Sequence, residues 1–225
     1  MLNKLEKWLM PLAEAIGRNK YLMSVRDGFL ISTPLLIAGS IFLVIANFPI
    51  PAWMNWLNSV VINEDSGETL AAFLAKPSDD TFTIMAIFAV MGIAYSFAKN
   101  MNTNPLFGAA VGLMSWFLLM PYVVSGNVEV GGTAQAVSLT GLSLGWLGAK
   151  GIFVGIICAF TSVHIYAWVE RKGWVIKMPA GVPPTVVESF SALIPATVVM
   201  GVLFVVKLIF GVMGTNAFQI IFEFL

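Results

Sequence analysis

The chain has 225 residues, of which 58% are apolar and 11% charged, and a mean hydropathy of +0.87. Twelve Lys and Arg balance twelve Asp and Glu, so there is no basic excess to hold a polyanion and nucleic acid is set aside as a partner. So apolar a chain exceeds what a water-soluble domain buries, and the expected solvent is a lipid bilayer.

Leu2, Leu5, Leu9, Leu12 and Ile16 recur every three or four residues on one helical face, with Lys4, Lys7 and Glu14 opposite. With Trp8 beside the stripe, residues 1–27 read as an amphipathic segment, either lying in the membrane interface or packed on the membrane domain. Lys4, Glu6 and Lys7 interrupt the early apolar residues, so a cleavable signal is not expected. Residues 28–48 carry no charge and are long enough for one crossing. Arg26 and Asp27 stand directly before them.

Residues 49–80 are polar and acidic, with Glu64, Asp65, Glu68, Asp79 and Asp80 against Lys76, and read as an external loop with Trp53 and Trp56 in the interfacial belt. Span two is expected at 81–98. The polar turn that follows ends in Asn104-Pro105, a capping residue and a proline placed to open a helix. Span three runs over 105–124. Residues 125–148 are glycine-rich and read as a loop, with a short re-entrant element an alternative at 139–147. Span four is 151–169.

Pro179, Pro183 and Pro184 lack an N–H and bias the preceding residues away from helix, so the chain is expected to run extended or turned at 170–189. From there an apolar run to Met213 supplies span five, at 190–213. The spans alternate, which puts Lys4, Lys7, Arg18, Lys20, Arg26, Lys99, Arg171, Lys172 and Lys177 on one side and only Lys76 and Lys150 on the other. Nine against two places the N-terminus in the cytoplasm. The fold class is therefore all-α: a polytopic membrane protein of about five transmembrane helices plus an amphipathic interfacial helix.

Met178, Pro179, Val182, Pro183, Pro184, Ser189, Phe190 and Pro195, together with Val186, Leu193 and Ile194, form a run that resembles the signature of lactose/cellobiose-type enzyme IIC. These are the membrane permeases of the bacterial phosphoenolpyruvate-dependent sugar phosphotransferase system. Leu147-Gly-Ala-Lys-Gly-Ile-Phe153 and Arg26-Asp27-Gly28-Phe29 resemble it too. The resemblance implies a plasma-membrane component that carries a β-linked disaccharide such as cellobiose inward, with cytoplasmic IIA and IIB relaying phosphate to the sugar. It implies no cofactor and no catalytic phosphoryl-transfer residue here. On the family's plan the chain corresponds to the first half, whose spans pair two protomers into a homodimer. Residues 214–225 are then the expected start of a C-terminal substrate domain, where the family's sugar-contacting histidine and glutamate belong. By itself the chain is expected to be a dimerising scaffold without transport.

His164, the sole histidine, lies in span four; it reads either as a proton or sugar contact or as a headgroup-depth side chain bonded to a neighbour. Lys207 lies in span five and either snorkels to the interface or joins a buried pair. Glu188 is placed to pair with a loop base such as Lys177. Arg171, Lys172 and Lys177 form a basic stretch suited to docking a soluble partner. Cys158 sits among apolar residues as a small core side chain. No phosphate loop, metal-spaced His/Cys cluster or Ser/His/Asp set is present. An ion-coupled secondary sugar transporter and a nontransporting membrane scaffold remain the alternatives.

Overall fold

The structure, a computed structural model, describes residues 17–130, 133–179 and 181–223. Most of the amphipathic segment, residues 1–16, lies outside the described residues. Helix α1 spans Lys20–Ala46, opened by Asn19, whose Oδ1 accepts from the Tyr21 and Leu22 amides at 3.0 and 3.4 Å. Its buried residues are Ser24, Gly28, Ser32, Gly39 and Ala46, a stripe of small side chains on an otherwise large and apolar helix. Small residues let backbones approach where lipid supplies no hydrophobic drive between helices. A Cβ on Gly92 would lie 2.5 Å from the Gly28 carbonyl oxygen, which is how closely α1 meets its neighbour.

The segment 49–80 is more ordered than a polar loop. Helix α2, Pro51–Ser59, lies against the end of α1, where Trp53 Nε1 donates to the Ile45 carbonyl at 2.9 Å. A short hairpin follows, β1 Val61–Asn63 and β2 Glu68–Thr69, turning through Gly67 with φ 68°. Helix α3, Leu70–Phe82, begins eleven residues before the expected start of span two at Thr81. Thr69 caps it, its Oγ1 3.5 Å from the Ala72 amide. The acidic Asp79-Asp80 pair and Pro77 suggested a loop, yet Pro77 sits inside the helix. Helix α4, Met85–Asn100, continues after a break at Thr83 and Ile84, and the two together form one apolar stretch of 31 residues.

Helix α4 is the core. Ala86, Ala89, Val90, Ile93, Ala94, Phe97 and Ala98 are buried against α1, against α5 (Pro105–Leu119) and against α7 (Ala149–Arg171). Gly108 and Gly112 of α5 face Ala98 and Ala94, and Gly155 of α7 faces Val90. Trp116 is fully buried between α5 and α7, its indole N–H donating to the Gly151 carbonyl at 3.1 Å. Helix α8, Pro184–Val212, packs on α5 and α7 through Ala192, Pro195, Val199 and Leu203, spaced at three and four residues.

Between α5 and α7 the expected loop is an antiparallel hairpin, β3 Val123–Val130 with β4 Thr133–Thr140, from Val123 opposite Thr140 to Val130 opposite Thr133. No re-entrant helix fills 139–147; a strand ends at Thr140 and a single turn, α6 Leu144–Leu147, precedes α7. Helix α9, Ala217–Glu223, closes the described chain.

Four helical stretches, Lys20–Ala46, Leu70–Asn100, Ala149–Arg171 and Pro184–Val212, are long and apolar enough to cross a bilayer. Pro105–Leu119 is a shorter fifth; its 15 residues rise about 22 Å. The outer faces of α1 and α8 expose Leu30, Ile37, Ile41, Phe204, Leu208 and Ile209, as lipid-facing surfaces do. The mostly helical, multi-span membrane fold expected from the sequence is the one observed.

Candidate functional site

The ends of α1, α4, α5, α7 and α8 meet at one end of the bundle, where side-chain hydrogen bonds join them. Ser24 on α1 accepts from Asn100 Nδ2 on α4 at 2.8 Å. In the turn between α4 and α5, Asn102 takes a positive φ of 56°, which sets the following residues toward α7 and α8. Thr103 Oγ1 then donates to the Glu170 carboxylate of α7. Asn104 serves two partners: its Oδ1 accepts from the Leu106 and Phe107 amides at 3.0 and 3.3 Å, and its Nδ2 donates to Glu188 of α8 at 3.0 Å. Asn100, Thr103 and Asn104 thus tie α1, α7 and α8 to the junction of α4 and α5.

His164 belongs to this end. Its Nδ1 is 3.0 Å from the Phe160 carbonyl oxygen, which only accepts, so Nδ1 carries the hydrogen. Nε2 lies 3.2 Å from the Tyr21 hydroxyl. Tyr21, Phe97, Phe160 and His164 pack as an aromatic cluster with ring centres 4.8–5.7 Å apart. Of the two readings of His164, the observed contacts are those of a side chain bonded to its neighbours.

The signature loop covers the same end. Helix α7 runs through Arg171 and α8 starts at Pro184, and the described residues between them, 172–179 and 181–183, lack regular structure. Pro183 occupies the cap position of α8 and Pro184 its first turn, where a missing N–H costs nothing. Ser191 Oγ bonds back to the Ile176 carbonyl at 3.3 Å, tying the loop to the helix it feeds. Ser189 bonds within α8 to Thr185, Phe190 is exposed, and Pro195 is buried inside α8. Met178 and Val182 are half-buried, and Pro179 is exposed.

Arg171, Lys172 and Lys177 are exposed at this end. Arg171 Nε donates to the Ala167 carbonyl at 3.1 Å, and the Lys172 ammonium lies 5.9 Å from the Trp168 ring centre. Glu188 binds Asn104 rather than the expected Lys177. Tyr21, Ser24, Thr103 and Glu170 escaped the sequence reading, because single polar residues 67 to 143 positions from their partners leave no local pattern. Among the described residues no group of three or more His, Cys, Asp or Glu is set to hold a metal. The arrangement fastens and orients the helix ends.

Lys207 lies at the opposite end. It continues the buried stripe of α8 one turn after Leu203, and its ammonium sits 5.3 Å from the Tyr122 ring centre. It shares a cavity of ≈ 110 Å³ with Thr215 and Asn216. A cation over an aromatic face near the helix end is the snorkelling arrangement rather than a buried ion pair.

A run of matched residues decides what this bundle is: the family model described as phosphotransferase system, EIIC covers residues 26–225. The chain belongs to the EIIC family. It is 36% identical over 224 residues to the oligo-beta-mannoside-specific EIIC component of Bacillus subtilis (strain 168), covering 99% of this chain and 48% of that one. It is 36% identical over 219 residues to the cellobiose-specific EIIC component of Geobacillus stearothermophilus, covering 97% and 47%. In structure it is similar to the transporter ChbC, the IIC component of an N,N'-diacetylchitobiose-specific system, with a TM-score of 0.80, 36% identity and coverage of 92% and 46%. This EIIC chain thus spans about half the length of the relatives it matches. The matched region takes in the signature loop, the capped turn at Asn104 and the α1–α4 contact at Gly28.

Proposed function

We propose that this EIIC chain forms the scaffold half of a permease that brings a β-linked disaccharide across the bacterial plasma membrane for phosphorylation by IIB. The observation that carries the proposal is the unbroken match over 26–225 to EIIC proteins whose names specify cellobiose, oligo-beta-mannoside and N,N'-diacetylchitobiose. The end of the bundle bearing Arg171, Lys172 and Lys177 faces the cytoplasm, following the positive residues. There the signature loop of Met178, Pro179, Val182, Pro183, Pro184, Ser189, Phe190 and Pro195 holds those cations near IIB. The exposed apolar faces of α1 and α8 meet lipid and a second protomer, so the chain assembles as a homodimer. Sugar recognition lies outside these helices, because Ser24, Asn100, Thr103, Asn104, Glu170 and Glu188 make their side-chain bonds with one another.

Proteoliposomes containing this chain, with IIA, IIB and phosphoenolpyruvate supplied, test the proposal. The chain is expected to cross-link as a dimer and to retain IIB on affinity resin, with no uptake of labelled cellobiose. Uptake by this chain alone, or uptake driven by a proton gradient without phosphoenolpyruvate, would contradict it.

A further inference from the structure

A groove of ≈ 300 Å³ opens on the outer face of the bundle between α1, α4 and α5. Its walls are Ile31 and Leu35 from α1 and Phe88, Met91 and Tyr95 from α4, with Leu106 of α5 at its mouth; Gly92 and Ala109 form the floor. Gly92 leaves the floor open because its approach to Gly28 admits no side chain. On α4, Met91, Tyr95 and Lys99 stand one turn apart and are all exposed, so a single face runs from apolar through phenol to ammonium. Among the described residues the Tyr95 hydroxyl has no hydrogen-bond partner and Lys99 has no ion pair.

The other charges at the mouth do not neutralise Lys99. Asp27, one turn before Ile31, is held by Arg26 at 2.7 Å, and the turn beyond Lys99 carries the neutral Asn100, Asn102 and Asn104. From Lys99 to Phe88 is eleven residues of helix, about 16 Å, roughly the hydrocarbon depth of one leaflet. The groove therefore begins at the bilayer surface with a cation and a phenol donor and ends near the midplane with aliphatic and aromatic walls.

From this geometry we infer that the α1–α4–α5 groove is a binding site for an anionic phospholipid. One acyl chain lies over Gly92 and Ala109, and the headgroup phosphate accepts from Tyr95 and Lys99. Charge complementarity selects lipid over a second copy of the chain: the acids at this end, Asp27, Glu170 and Glu188, are already engaged by Arg26, Thr103 and Asn104, whereas the bilayer supplies phosphate at that depth. The site needs only that Lys99 lie at a membrane surface, so it stands apart from the transport reading.

The test equilibrates the detergent-purified chain with equimolar phosphatidylglycerol and phosphatidylcholine and counts retained lipids by native mass spectrometry. Wild type is expected to prefer phosphatidylglycerol; Lys99→Gln lowers that preference about fivefold, and Tyr95→Phe lowers it less. Leu106→Trp, at a position 69% exposed, fills the mouth and removes retention of both lipids. Lys177→Gln, in the loop, leaves the preference unchanged. The inference is overturned if Lys99→Gln and Lys177→Gln act alike, if retention survives Leu106→Trp, or if the wild type is a lipid-free dimer that Leu106→Trp dissociates.

Discussion

At the crossing of α1 and α4, Gly92 meets the backbone of Gly28, and Gly92→Ala tests that contact. The new methyl would lie 2.5 Å from the Gly28 carbonyl oxygen, against an ordinary heavy-atom contact of about 3.5 Å. The obstacle is backbone on both sides, so no rotamer change relieves it and α1 must move outward by about 1 Å. Overpacking of this kind costs about 1–3 kcal/mol, which for a chain of this size lowers the melting midpoint by about 2–12 °C. The matched control is Gly201→Ala on α8, where an added Cβ meets nothing within 4 Å. Replacing that helical glycine is expected to gain about 0.5–1 kcal/mol. Both variants are read by thermal unfolding in detergent, followed by circular dichroism. Equal midpoints for the two would refute the claim that glycine is needed at Gly92 for helix contact.

Trp116→Phe leaves the buried Gly151 carbonyl without its indole donor and should cost about 1–3 kcal/mol in the same unfolding assay. At Asn104, Ser keeps the α5 cap but loses the Glu188 bond, so Asn104→Ser should be milder than Asn104→Ala, whose lost cap alone costs about 1 kcal/mol. Asn104→Asp keeps the cap but sets a carboxylate against Glu188, so its midpoint should lie below that of Asn104→Ser in the same assay. Tyr21→Phe and His164→Phe, combined in a double-mutant cycle, should show a coupling of about 0.6 kcal/mol; additive losses would mean that the hydroxyl and the ring do not bond.

Much of this bundle was legible because the bilayer forces long apolar runs: 28–48 and 105–119 carry no charge, and the run after Pro184 carries only Glu188 and Lys207. Asn104-Pro105 announced its helix through two local effects, a side-chain cap and a proline where no N–H is required. The segment before span two was not legible: Pro77, Asp79 and Asp80 read as breakers, while the packing of α3 along the small stripe of α1 outweighed them. The hairpin of Val123–Val130 and Thr133–Thr140 was missed because its strands carry mixed polar and apolar residues with no regular alternation to mark them. At the end of the bundle that carries the signature loop, the loop prolines were visible, but the Thr103–Glu170 and Asn104–Glu188 bonds join residues 67 and 84 positions apart. Sequence patterns of three or four residues do not reach that far.

The central claim is that apolar helices thread the bilayer an odd number of times, with the Arg171, Lys172 and Lys177 end inside. Alkaline phosphatase fused after Met213, and separately within the loop at Lys177, measures this directly in cells. The account predicts an active enzyme at Met213 and an inactive one at Lys177. An inactive fusion at Met213, or an active one at Lys177, would contradict it.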